Sequence, residues 1–132
     1  MLKIDRLSRS PVYEQIIEQF EYLIMSGDLK EGEKLPSVRA LSQELSINPN
    51  TIQKSFVEME RRGLCITSHG SGRYITNEAK NILVETKRSE LSGLKQIITE
   101  FMDAGISKKE IFDNIKTICD EIETKQKEDE KK

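Results

Sequence analysis

The feature that most constrains this chain is a change of hydrophobic period at Gly63. Before that glycine, apolar residues recur every three or four positions, the repeat of helices buried along one face. After it, in LCITSHGSGRYIT, Leu64, Ile66, Tyr74 and Thr76 alternate with more polar partners, the period-two repeat of strands. His69-Gly70-Ser71-Gly72 supplies the turn of a β-hairpin.

Three helices are expected ahead of the hairpin. Ser10 followed by Pro11 has the pattern of an N-cap with proline at the first helical position. Val12, Ile16, Ile17, Phe20, Leu23 and Ile24 then form an apolar stripe that Gly27 ends. DLKEGEKLP is turn-rich, with a brief strand pairing expected at Glu33-Lys34-Leu35. Ser37 caps a short second helix with Val38, Leu41 and Leu45 inward and Arg39 and Gln43 pointing elsewhere. Ser46 to Asn48 make a turn. Asn48 and Pro49 open the third helix, which offers Ile52, Phe56, Val57, Met59 and Leu64 to the core and stops at Gly63.

From Asn77 the pattern is helical again. Ile82, Leu83, Leu91, Leu94, Ile97, Ile98, Phe101 and Met102 form one long stripe, broken at Gly105. Ser107 and Glu110 have capping-box spacing. Ile111, Phe112, Ile115, Ile118, Cys119 and Ile122 follow at intervals of three and four, and KQKEDEKK is expected to be a charged, frayed tail. The fold class is thus mainly α with a small β-hairpin. Two domains are expected, residues 1–76 and a helical region over 77–132.

Several functions are disfavoured. No apolar run is long enough to span a bilayer, and MLKIDRLSRS has no signal-peptide core, which points to the cytoplasm. Cys65 and Cys119 form no C-x-x-C pattern and His69 is the only histidine, so no metal site of the usual spacing and no cysteine or serine triad is expected. No cofactor is implied. The formal net charge of −2 argues against indiscriminate nucleic-acid binding, yet Lys3, Arg6, Arg9, Arg39, Lys54, Arg61, Arg62 and Arg73 gather in the first half. Acids concentrate in the first helix and the tail.

Three helices and then a hairpin is the order of a winged helix-turn-helix, in which the third helix enters the major groove and the wing touches the backbone or minor groove. The stretch EKLPSVRALSQELSINPNTIQKSFVEMERRGLCITSHGSGRYI resembles the GntR-family DNA-binding signature. That pattern has L-P-S-x-R-x-L-A, then T-[VI] opening the recognition helix, L-E-x-x-G-[LI] closing it, and a G-x-G-x-[FY]-[VI] hairpin. Met59 stands in the usual leucine place. INPNT and the short stretch after the wing resemble the YtrA-like branch. The resemblance implies a repressor that dimerises through a helical hairpin, binds a palindromic double-stranded operator and often controls a transporter operon. A small-molecule effector is left unspecified.

The residues expected at the DNA are Ser37 and Arg39 on the second helix, and Asn48, Pro49, Asn50, Thr51, Gln53 and Lys54 at the start of the third. Asn and Gln read adenine edges, Thr meets a thymine methyl, and a helix N-terminus attracts phosphate. Many relatives carry arginine where Pro49 and Gln53 stand, which implies a different sequence preference here. In the wing, Gly70 and Gly72 are expected to let the backbone approach a sugar-phosphate edge, with Ser71 between them at the DNA and His69 in the minor groove. Leu91, Leu94, Ile98, Phe101, Ile111, Ile115, Ile118 and Ile122 exceed what one helix pair can bury and are expected to form a homodimer interface. The competing reading is a winged-helix protein–protein module without DNA function.

Overall fold

The computed structural model describes residues 2–131; Met1 and Lys132, the outer ends of the two expected domains, lie outside the described residues. In chain order the elements are α1 (Val12–Ser26), α2 (Val38–Leu45), α3 (Pro49–Arg61), β1 (Cys65–Ser68), β2 (Gly72–Ile75), α4 (Ala79–Ser89), a 3-10 turn (Glu90–Gly93), α5 (Leu94–Asp103) and α6 (Lys108–Glu130). They fall into two compact units, Met1–Arg88 and Ser89–Lys132.

In the first unit, α1 and α3 pack through their apolar stripes. Phe20 meets Phe56 edge-on, with ring centroids 5.8 Å apart at 65°. This is the geometry that the ring quadrupoles favour. Ile16, Ile17, Leu41, Ile52 and Met59 complete a core that excludes water. Ser55, a fully buried polar residue, avoids an unpaired hydroxyl by lying 2.9 Å from the Tyr13 carbonyl and 3.2 Å from that of Thr51. The first of these ties α3 to the start of α1.

The turn between α2 and α3 is held from both sides. Ser46 sits in the left-handed region at φ 54°, and its N–H reaches the Ser42 carbonyl. The Ser42 hydroxyl donates to Ile47 O, and Ile47 itself is buried, a core position the periodicity does not reveal. Leu2 is a second such residue.

The hairpin is antiparallel, with Cys65 opposite Ile75 and Ile66 opposite Tyr74. Its inward face is the reverse of the expected alternation. Cys65 and Ile75 are buried, Ile66 is 59% exposed and Tyr74 half-buried. Leu64 and Thr76 fall outside the strands, so they do not mark its faces; Leu64 is buried, and the Thr76 hydroxyl donates to Gly63 O at 2.6 Å. The short pairing expected at residues 33–35 is present: Leu35 N–H donates to Arg73 O and Ile75 N–H to Glu33 O, each at 2.9 Å.

Further departures are local. Ser10 does not cap α1. Pro11, extended at φ −57° and ψ 148°, occupies the cap position without a side-chain cap bond, and the Ser10 carbonyl instead accepts from the Gln15 amide. Val57 is 49% exposed, because its position on α3 turns it away from the stripe that holds Phe56. Helix α4 buries Ala79 and Leu83 in the same core as α1 and α3, so residue 76 falls inside the first compact unit. Ile82 also lies in that unit, its Cδ1 3.0 Å from where a Cβ on Gly63 (φ +85°) would sit.

In the second unit, the Ser107 hydroxyl accepts from Glu110 N–H and starts α6. The expected tail does not fray before its last residues. Residues 125–130 contain no proline or glycine and all but Asp129 are good helix formers, so α6 continues to Glu130.

If α4 belongs to the first core, Leu83→Ala should cost about 2–5 kcal/mol, as buried leucine truncations do. Urea unfolding monitored by circular dichroism measures this. A loss below about 0.5 kcal/mol, the range of surface substitutions, would place α4 outside the core.

Candidate nucleic-acid interface

The start of α3 is built by its own sequence. The Asn48 side-chain oxygen accepts from Asn50 N–H at 2.8 Å, while the Asn48 carbonyl accepts from Thr51 and Ile52 N–H. Pro49 occupies the first helical turn, where its fixed φ suits the helix and its missing N–H costs nothing. Pro49, Asn50, Gln53 and Lys54 are exposed and Thr51 is half-buried, while Ile52, Ser55 and Phe56 anchor the opposite face. The Lys54 ammonium lies 3.9 Å from the centre of the Tyr13 ring. That cation–π contact restrains an otherwise long, free side chain.

Of the α2 residues, Ser37 has a clear structural duty. Its hydroxyl caps the helix by accepting from Ala40 N–H at 3.0 Å. Arg39 is exposed in the first turn of α2. The positive end of the helix dipole disfavours a cation there.

At the tip of the wing, His69, Gly70, Ser71 and Gly72 are all exposed. Gly72 has φ +111°, and a Cβ there would come within 2.8 Å of Lys34 Cε. The backbone conformation favours glycine at this position, whereas Lys34 approaches with its flexible end, which can move aside. That approach brings a further cation to the wing, which only the three-dimensional pairing of residues 32–35 with β2 reveals.

The far end of α3 is electrostatically closed. Glu58 accepts from Arg61 and Arg62, at 2.5 and 3.1 Å, and Arg62 also reaches Glu21 on α1 at 3.5 Å. Hydrogen bonds from the Arg61 guanidinium, reinforced by Arg62, hold the Glu58 carboxyl down at about 2. Glu60 accepts from both the N–H and the hydroxyl of Thr67, at 2.7 and 2.6 Å, which fastens α3 to the wing and lowers its pKa. Glu60 is the glutamate of the L-E-x-x-G-[LI] pattern, which does not reveal its partner in the wing; i to i+3 and i+4 spacing to arginine is the only sequence signal for Glu58. Arg73 places its guanidinium carbon 5.5 Å from the Phe56 ring centre. Its Nε is buried and has no hydrogen-bond partner among the described residues.

Among the described residues no group of three or more His, Cys, Asp or Glu side chains could hold a metal ion. The Cys65 thiol is buried, and that burial pushes it up to about 11, whereas Cys119 is exposed. No helix among the described residues is long and apolar enough to cross a membrane.

The candidate dimer residues lie in the second unit, described by itself. A groove of about 390 Å³ between α5 and α6 is lined by Leu94, Ile98, Phe101, Ile111, Ile115 and Ile118 among others. No residue of α5 or α6 is buried. Leu91 is 60% exposed, and Phe101, Ile118 and Ile122 are close to half exposed.

The profile of "Bacterial regulatory proteins, gntR family" matches residues 12–75. The chain is 41% identical over 130 residues to the HTH-type transcriptional repressor YtrA of Bacillus subtilis (strain 168), which covers 98% of this chain and all of the relative. The chain belongs to the gntR family. Among solved structures, a transcriptional regulator from Oenococcus oeni is similar with TM-score 0.73 and 26% identity, over 90% of this chain and 99% of that one. The DNA-binding domain of AraR in complex with operator ORX1 is similar over 57% of this chain and 93% of that one, with TM-score 0.51 and 26% identity. This gntR-family protein is thus a winged helix-turn-helix, DNA-binding transcriptional regulator with a YtrA-like chain, and the family is not one of enzymes.

Glu58 supplies a pH-dependent check on the closed end of α3. Its folded pKa lies below the ordinary 4.5, so the ionised form stabilises the fold above that pH. The contribution is lost as pH falls from 4.5 through about 2. Carbon-detected NMR titration should place the Glu58 midpoint near 2. A midpoint near 4.5 would show that Arg61 and Arg62 are not committed to it.

Proposed function

We propose that this protein is a homodimeric repressor that binds a palindromic operator, with the start of α3 in the major groove and the wing against the backbone or minor groove. The observation that carries the reading is the exposed polar run Pro49, Asn50, Gln53 and Lys54 on the first turns of a helix whose other face is locked into the core. Such a surface meets base edges with little ordering cost, because the helix is already capped and anchored. Asn50 and Gln53 carry amides suited to adenine, and Thr51 a methyl suited to thymine. Asn48 and Ser37 act mainly by holding helix starts, and Pro49 by fixing the first turn of α3.

Arg39 contacts a phosphate or a guanine edge in this reading, which accounts for a guanidinium that its own helix dipole disfavours. His69, Gly70, Ser71 and Gly72 approach the sugar-phosphate edge, with Lys34 beside them. The complex of AraR with its operator supports a similar docking here.

Dimerisation is supported by the second unit. Its apolar stripe, including Leu91, Leu94, Ile98, Phe101, Ile111, Ile115, Ile118 and Ile122, has no interior of its own to enter. A two-fold partner would bury it and would present two recognition helices to two half-sites. Control of a transporter operon in the cytoplasm belongs to the same reading, as the resemblance to the YtrA-like branch implies. No cofactor is needed, and any small-molecule effector is unassigned.

Fluorescence anisotropy with the protein's own promoter region should show saturable binding that weakens steeply with salt and survives competition by unrelated DNA. Arg39→Ala should cost about 1–3 kcal/mol of binding free energy. Absence of any DNA binding at low salt would favour the protein–protein module instead. Ile118→Glu, a charge on a surface exposed in the single chain, should convert a dimer to a monomer in sedimentation velocity. An unchanged dimer would remove the α5–α6 face as the interface.

A further inference from the structure

We propose that residues 3–10 form a second DNA-backbone contact, in which Arg6 binds a phosphate beside the recognition helix and Gln15 and Gln19 are positioning residues. The inference rests on the DNA-binding reading above and adds an element to it.

The segment is held as if it were a strand. The Gln19 side chain accepts from Lys3 N–H at 2.7 Å and donates to the Lys3 carbonyl at 2.5 Å. One turn earlier on α1, Gln15 accepts from Asp5 N–H at 2.9 Å and donates to the carbonyls of Asp5 and Ser10, at 2.9 and 2.8 Å. Lys3 and Asp5 are alternate residues, so two side-chain amides stand in for a neighbouring strand. Gln15 is only 8% exposed, and Leu2 enters the core below it. Asp5 then closes the bend by accepting from Leu7 N–H at 2.9 Å.

This pinning fixes where the Arg6 charge sits. Its guanidinium donates to the Ser46 carbonyl at 2.7 Å, in the turn that leads into Asn48 and α3. Arg6 is exposed, and Ser46 takes one of its five N–H donors. A cation on the Ser46 carbonyl stands two residues ahead of Asn48 in the chain, where the surface already assigned to the operator begins. It is supported by the C-terminal end of α2, whose C-cap residue is Ser46, and not by the positive end of α3. An anion approaching the start of α3 would meet Arg6 as a ready partner.

The test is the salt dependence of operator affinity for the full-length protein. Each phosphate contact contributes about one unit to the slope of log affinity against log salt. Arg6→Gln keeps a donor for Ser46 and removes the charge; it should bind more weakly and lower the slope for the dimer–operator complex by about two, one for each subunit. Arg6→Lys should retain the slope. Gln15→Met, which leaves Arg6 intact but releases the segment, should lose part of the slope with α3 unchanged. Retention of the full wild-type slope by folded Arg6→Gln, checked by circular dichroism, would overturn the proposal while leaving the DNA-binding reading in place. Failure of the wild-type protein to bind DNA at low salt would overturn both. If Arg6→Gln does not fold, Arg6→Ala decides: a reduced slope supports the proposal, and the full wild-type slope overturns it.

Discussion

Everything that the first unit presents to its surroundings depends on how α3 is clamped against α1. The edge-to-face pair of Phe20 and Phe56 and the buried Ser55 bond to Tyr13 O set the rotation of α3 about its own axis. A helix turns about 100° per residue, so a slip of one position would bury Gln53 or Lys54 and expose Phe56. The cost of burying such polar groups unpaired makes that slip prohibitive. The polar run on the exposed side is therefore a consequence of the core, and its precision comes from the core.

Charge is distributed on the same principle. The chain carries a formal net charge of −2, so its cations can serve a polyanion only where acids do not neutralise them. At the C-terminal end of α3, Glu58 and Glu21 occupy Arg61 and Arg62, and Glu60 is spent on the wing. Toward the N-terminal end, Lys54 is held over Tyr13 and Arg6 is brought to the Ser46 carbonyl by the pinned segment, while Arg39 is exposed on α2. The cations outside the Glu58 cluster include Lys54 and Arg6 near the start of α3 and Lys34 beside the wing.

The parts legible in the sequence are those whose cause is local. Asn48-Pro49 and Ser37 mark helix starts because caps act within three residues, and both are found where the pattern puts them. Ser10 misleads because Pro11, being extended, takes the cap position itself. The wing's faces were not legible: apolar residues occur on both sides of the hairpin, and only the register of Cys65 with Ile75 selects the inner one. Leu2 and Ile47 are solitary apolar residues with no period to betray them, and Lys34 reaches the wing through tertiary pairing. The extent of the first core is hidden for a related reason. Leu83 continues the same helical stripe as Leu91 and Leu94, yet it packs with the first unit.

The central claim, that two copies read DNA through the start of α3, is tested most directly by selecting bound sequences from a random DNA pool with the wild-type protein and with Gln53→Ala. An inverted repeat is predicted, with half-sites one helical turn or a multiple of it apart. Gln53→Ala should relax the preference at the same position in both halves. Enrichment of no common sequence, or a preference that Gln53→Ala and Asn50→Ala both leave untouched, would contradict the account.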